Sequence, residues 1–224
     1  MRKQFELIRT SPMFAGIAEE EAEAMLGCLG ARTASAQKET YLLRRGERTE
    51  AIGLVLLGSV LIVQEDVWGR RNLLARIMPG QIFAESFACK SGAVLNVSAV
   101  AAEPCKLMWL DVQRVLTTCS NGCAYHDRLI RNLISEIAGK NLRFSEKLTH
   151  MGKRTTREKL LSYLSAEAQR CGSSELAIPF TRQQLADYLS VERSAMSAEL
   201  SKLRDDGYLT FEKNHFVLHI TEEG

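Results

Sequence analysis

TRQQLADYLSVERSAMSAELSKLRDDG, residues 181–207, holds two helical patterns with only Ser190 and Val191 between them. Thr181 and Gln184 have the T-x-x-Q spacing of a capping box, which starts a helix whose Leu185 and Leu189 face inward. The second pattern sets Met196, Leu200 and Leu203 at i, i+4 and i+7, a single apolar stripe. Left outward on its first two turns are Arg193, Ser194, Ser197 and Ser201. Breaking one helix and starting another at once sets the two at a steep angle, so that one can be presented to a partner. Short polar side chains let that helix enter a groove, and arginine at its leading end can reach guanine O6 and N7 together. After Gly207, YLTFEKNHFVLHI alternates around Lys213-Asn214 and predicts a β-hairpin wing. A helical hairpin used only for packing is the plainer alternative. Helix, helix and wing in succession argue for DNA.

Charge neither demands nor forbids that reading. The chain of 224 residues is 46% apolar and 25% charged with net charge +2, enough to bury a sizeable core in one large or two small domains. From Gly152 onward ten Lys/Arg face eleven Asp/Glu, so nucleic acid would have to meet a local patch, which Arg182, Arg193, Lys202 and Arg204 can supply. The opening MRKQFELIRTSPMF lacks an unbroken apolar run, and no later run reaches the roughly 20 residues a bilayer span needs. A cytoplasmic protein with no membrane partner is expected. Six cysteines without CxxC pairing fit reduced thiols better than a disulfide framework.

Upstream, three textures follow one another. A helix is expected over about Phe5 to Leu29, carrying Ile17, Met25, Leu26 and Leu29 behind acidic Glu19, Glu20, Glu21 and Glu23, with Gly30 as its stop. From Ala36 to Leu110, short β-rich runs punctuated by Gly46, Gly58, Gly69, Gly80 and Gly92 predict an antiparallel barrel or sandwich, with WGRR (68–71) at a hairpin tip. Near Ala124 a helical stripe begins: Ile130, Ile134, Ile137, Asn141, Phe144, Leu148 and Met151 are spaced 4, 3, 4, 3, 4 and 3 apart. That is a coiled-coil seam, and asparagines paired across a two-fold axis would fix its register, so a parallel homodimer is expected. Leu129, Leu133 and Leu142 flank the seam and are expected to pack at home. Gly152-Lys153-Arg154 ends the helix, and Thr155 with Glu158 caps the next, which Gly172 stops.

The order barrel, long helix, winged helix-turn-helix resembles the Crp/Fnr superfamily of bacterial transcription regulators over essentially the whole chain. LLRRGE and IGLVLLGSVLIV look like its first barrel strands, MPGQIFAES like its PGxxFGE turn, and TRQQLADYLSVERSAMS like its DNA-reading unit. The resemblance implies an α+β fold: a cyclic-nucleotide-binding-like jelly-roll barrel (1–123), a dimerisation helix (124–151) and a winged helix-turn-helix (152–224). It implies double-stranded DNA with a palindromic operator and RNA polymerase as partners, and no enzymatic activity. Thr181, Arg182, Gln183, Arg193, Ser194, Ser197, Ser201 and Lys202 would meet DNA, Arg182 on a phosphate. Family members often carry a second arginine five residues beyond the first, where this chain has Ala198.

By the same resemblance, Phe83, Ala84, Glu85, Ser86, Leu95 and Asn96 mark the effector pocket. The nucleotide-binding branch uses a Gly-Glu pair for the ribose and an Arg-Ser or Arg-Thr pair, ten residues on, for the cyclic phosphate. Here Ala84-Glu85 keeps the carboxylate, but an ungapped count lands on Leu95-Asn96. A buried phosphate without its guanidinium is costly, which argues against cyclic AMP. No cofactor is expected. Glu85 is as well read as a barrel carboxylate that senses nothing. Only Cys28 precedes the barrel and no histidine precedes His126, against iron-sulfur and haem sensing. In CSNGCAYH, Cys119, Cys123 and His126 would share one helix face and suit a transition metal, unless Ser120-Asn121-Gly122 forms a turn. Two other classes stay open. A cupin-type enzyme would need histidines on the strands, where there are none, and a protein-interaction barrel would carry an idle helix-turn-helix.

Overall fold

Proline and glycine divide the N-terminal segment that sequence periodicity reads as one helix. The structure, a computed structural model, describes residues 8–65, 68, 71–117 and 124–219. Ser11 caps a single 3-10 turn at Pro12–Phe14, and Gly16 at φ +72 turns the chain away before any helix can continue. Helix α1 runs only over Glu19–Cys28. Its Glu21 side chain accepts from the Ala18 amide at 3.0 Å, and its three leading glutamates meet the positive helix end. The expectation of a helix from Phe5 is therefore corrected, Phe5 itself lying outside the described residues.

Eight strands follow: β1 (Arg32–Ala36), β2 (Tyr41–Leu43), β3 (Ala51–Leu57), β4 (Val60–Glu65), β5 (Arg71–Ile77), β6 (Ile82–Phe83), β7 (Ser98–Ala101) and β8 (Cys105–Asp111). They form two four-stranded sheets in the orders β1-β8-β3-β6 and β2-β7-β4-β5. Only β4 and β5 are sheet neighbours that also follow one another in the chain; β1 with β8, β8 with β3, β2 with β7 and β7 with β4 are far apart in sequence, which is the crossed connectivity of a jelly roll. β3 is apolar throughout because Ile52, Leu54 and Leu56 enter one core cluster while Val55 enters the other. Gly53 is required by close approach: a Cβ there would overlap the Phe83 ring, which also meets Trp109 edge-on at 5.3 Å. The hairpin tip read at WGRR keeps Trp68 in a turn, but Gly69 and Arg70 lie outside the described residues.

Short helices α2 (Glu85–Ala88) and α3 (Val112–Leu116) flank β7 and β8, and the long helix α4 spans Ala124–Met151. Leu129 and Leu133 on α4 are completely buried in the barrel's cluster, whereas Ile134, Phe144 and Leu148 are 60%, 49% and 63% exposed. Two members of the predicted pattern change places. Ile137, assigned to the dimer seam, packs against its own core. Leu142, expected to pack at home, is 69% exposed. Two compact units result, Met1–Arg70 with Leu74–Lys140, and Arg71–Leu73 with Asn141–Gly224.

In the second unit, α5 (Thr156–Cys171) starts on the Thr155/Glu158 capping box and ends at Gly172 in the left-handed conformation. β9 (Glu175–Ala177), α6 (Arg182–Leu189), α7 (Arg193–Asp205), β10 (Leu209–Glu212) and β11 (His215–Leu218) complete it, with a sheet in the order β10-β11-β9. Leu160, Leu164, Leu185, Leu189, Met196, Leu200, Leu203, Leu209 and Phe216 are all buried, as periodicity requires. Near the end of α4, Lys147 sits 4.2 Å over the Tyr188 ring, and burial lowers its ammonium pKa to about 8. His150 beside it hydrogen-bonds the Ser162 hydroxyl at 2.8 Å, and burial pushes its imidazole below the usual range.

Candidate nucleic-acid interface and effector site

The break between α6 and α7 is made by one residue. Ser190 adopts φ +52, ψ +56, and the Val191 amide donates back to the Ala186 carbonyl at 3.0 Å. At the other end of α6 the capping box closes reciprocally: the Gln184 amide donates to Thr181 Oγ1 at 3.3 Å, and the Thr181 amide to Gln184 Oε1 at 3.0 Å. Thr181 is thus occupied in shaping the helix start. Helix α7 opens with Arg193, and Arg193, Ser194 and Ser197 are exposed, with Ser201 half-exposed and its hydroxyl donating to the Ser197 carbonyl.

The basic residues are not equivalent. Lys202 pairs with Glu199 at 2.8 Å and Arg204 with Asp205 at 3.1 Å, while exposed Gln183 donates to Asp187 at 2.8 Å. Such exposed contacts are worth at most about 1 kcal/mol, so a phosphate can displace them. Arg182, a phosphate contact by the resemblance, is half-buried. Its guanidinium carbon lies 4.7 Å from the Phe211 ring and 4.9 Å from the Phe216 ring, and Nη1 is buried without a hydrogen-bond partner. Burial lowers its pKa, and the group braces α6 against the wing. Arg193 alone of the four patch residues is exposed with no ion pair or aromatic contact among the described residues. The wing forms as read, with β10 and β11 in register from Leu209↔Leu218 to Glu212↔His215 and Lys213 at φ +52 in the turn.

In the barrel, Ala84 takes the left-handed conformation at φ +66 as the residue before α2. An L-residue with a Cβ is strained there. Ala84→Gly is therefore expected to raise stability by about 1 kcal/mol, read as a higher urea midpoint at unchanged slope; a lower midpoint would show that the Cβ packs favourably. Glu85 is 4% exposed, and Phe83 and Leu95 are also buried, while Ser86 and Asn96 are exposed. Leu95 exchanges backbone hydrogen bonds with Gly46 and Glu47 at 2.8 and 2.9 Å.

Sequence reasoning misses one residue here. Lys140 on α4 donates to Glu85 Oε1 at 2.9 Å and to the Ile82 carbonyl at 2.5 Å, leaving Glu85 Oε2 buried without a partner. The available signal is that Lys140 continues the Leu129 and Leu133 face of the helix, four and then seven residues on. Burial, with the Glu85 charge second, raises the pKa of the nearby Cys89 thiol.

Of the three candidate metal ligands, only His126 lies among the described residues, Cys119 and Cys123 lying outside them. His126 is 2% exposed, and its Nε2–H donates to the Arg114 carbonyl at 2.9 Å, which fixes that nitrogen as a donor rather than a ligand. Among the described residues no group of three or more His, Cys, Asp or Glu could hold a metal ion, and no helix is long and apolar enough to cross a membrane. Cys28, Cys89, Cys105 and Cys171 are free thiols.

A jelly-roll barrel followed by a long helix and a winged helix-turn-helix defines a DNA-binding regulator of transcription. Two families match in that order: the cyclic nucleotide-binding domain at residues 33–121 and the Crp-like helix-turn-helix domain at residues 158–222. The chain belongs to the Crp/Fnr family. It is 25% identical to the nitrogen fixation regulation protein FixK of Azorhizobium caulinodans, over 94% of this chain and 85% of that one. It is 23% identical to the transcriptional activator protein FnrL of Cereibacter sphaeroides, over 77% and 71% of the two chains. The solved structure of FixK2 from Bradyrhizobium japonicum shares the fold, with a TM-score of 0.65 and 22% identity over 85% of this chain and 93% of that one. The names of the first two are those of regulators, FnrL as a transcriptional activator, and neither is that of an enzyme.

Proposed function

We propose that the protein acts in the cytoplasm as a homodimer that reads a two-fold-symmetric operator, with the barrel setting its DNA affinity. The observation that carries DNA reading is the exposed face of α7, headed by Arg193 with no acidic partner among the described residues, beside a capped α6 and a wing. Residues 152–224 are the DNA-binding domain, α4 carries the dimer seam through Ile130, Ile134, Asn141, Phe144 and Leu148, and residues 1–123 form the sensing domain. Ser194, Ser197 and Ser201 let the helix backbone come close to the groove, and Thr181, Gln183 and Lys202 lie within the phosphate-contacting surface. Bound at a promoter, the dimer would act on RNA polymerase. Electrophoretic shifts over a salt series test the reading. Affinity for DNA should fall linearly in log–log form as phosphate-bound counterions are released, and an absent shift at low salt would defeat it.

The barrel ligand is not a cyclic nucleotide on this account. Leu95 stands where a phosphate arginine would, and the cation that does reach the site, Lys140, is already engaged by Glu85 and the Ile82 carbonyl. Calorimetry with cyclic AMP and cyclic GMP is expected to show no micromolar binding, because Lys140 would have to give up Glu85 and the Ile82 carbonyl to offset the phosphate's lost hydration. Leu95→Arg with Asn96→Ser should strengthen any residual affinity. Tight binding of cyclic AMP by the unaltered protein, with a matching change in DNA affinity, would mean that Lys140 or another basic side chain turns to the phosphate.

A further inference from the structure

A seam for a second helix does not account for Lys140. Its side chain points the other way, to Glu85 Oε1 at 2.9 Å and the Ile82 carbonyl at 2.5 Å. Glu85 is 4% exposed, and its Oε2 is buried with no donor among the described residues. A buried carboxylate oxygen is normally satisfied, so this one marks a place where an N–H or O–H belongs. Lys140 is also the last residue of α4 that belongs to the first compact unit, which ends there.

We propose that Lys140 is a positioning residue of the barrel site: it holds one oxygen of Glu85, leaves the other as the single acceptor for a ligand, and fastens the helix through the same carboxylate. The inference rests on the sensing role proposed for the barrel. Glu85 and Lys140 together are neutral, so an anion would meet the carboxylate charge and a cation would compete with the ammonium. The site takes a small uncharged molecule that donates one N–H or O–H to Oε2. Such a bond draws charge from the carboxylate, alters its hold on Lys140, and so reaches the helix; charge-assisted contacts of this kind are coupled through their shared group.

Four variants test it: Lys140→Met, Lys140→Arg, Glu85→Gln, and Lys140→Met with Glu85→Gln. Each is measured for affinity to a duplex selected from a random pool by the unaltered protein, and for hydrogen exchange of the amides at 85–89 and 133–140. Lys140→Met and Glu85→Gln should each change DNA affinity about tenfold and in the same direction, the double variant no further, and Lys140→Arg less than about threefold. Exchange at both segments should rise tenfold or more in Lys140→Met and stay near the original in Lys140→Arg. A well-folded Lys140→Met protein with unchanged exchange, or additive effects in the double variant, would overturn the inference. Should Lys140→Met not fold, the double variant and Lys140→Arg decide by the same criteria. If exchange changes as expected but the unaltered protein selects no duplex, the positioning role stands and the DNA-reading proposal falls.

Discussion

Ile134→Asp is expected to turn the proposed dimer into a monomer and to lower affinity for a two-half-site operator by about a hundredfold or more. Ile134 is 60% exposed in the single chain, so a carboxylate there leaves the folded protomer intact. Opposite its own symmetry mate the same carboxylate would be desolvated beside a like charge. Affinity falls with it because two half-sites held by one body gain an effective concentration worth about 10²- to 10⁴-fold. Sedimentation reads the first effect and fluorescence anisotropy the second. Ile134 is a cleaner probe than Ile137, which packs against its own barrel core and would confound dissociation with unfolding. An Ile134→Asp protein that stays dimeric removes the α4 seam.

Arg193→Ala should cost about 1–3 kcal/mol per half-site on the selected operator while leaving random DNA almost unaffected. Arg193 is the first residue of α7, exposed, and among the described residues paired with no carboxylate, so its guanidinium can meet a base edge without first breaking a bond. With alanine at position 198, this one cation would carry a larger share of the proposed base reading. Lys202 and Arg204, each paired with an acid, should weaken all sequences alike when removed. Equal losses on operator and random DNA for Arg193→Ala would move that residue from bases to phosphates.

Local chemistry made the DNA-binding half legible. Two capping boxes, a one-residue left-handed break and apolar spacing at i, i+4 and i+7 are all written within a few residues of where they act. The barrel's strands were legible as a class because glycine turns separate them, but their pairing was not, since β1 and β8 are neighbours across most of the domain. The same distance hid Lys140, whose partner Glu85 is 55 residues away in the chain. Heptad counting found the long helix but could not say which flank faced home: Ile137 and Leu142 both fit an apolar band, and only packing separates them. Apolar spacing alone makes the N-terminal helix read longer than it is, because that spacing carries no mark of Pro12, which opens a separate 3-10 turn, or of Gly16, whose positive φ turns the chain before α1.

Selection of duplexes from a random pool by the unaltered protein, followed by sequencing, tests the central claim most directly. A dimer presenting two α7 helices predicts an enriched site with two inverted half-sites whose centres lie about 10–10.5 base pairs, or a multiple, apart. Each half-site should hold a guanine whose enrichment disappears with Arg193→Ala. A pool that stays random, or one that converges on a single unrepeated motif, would contradict a two-fold reader built on this fold.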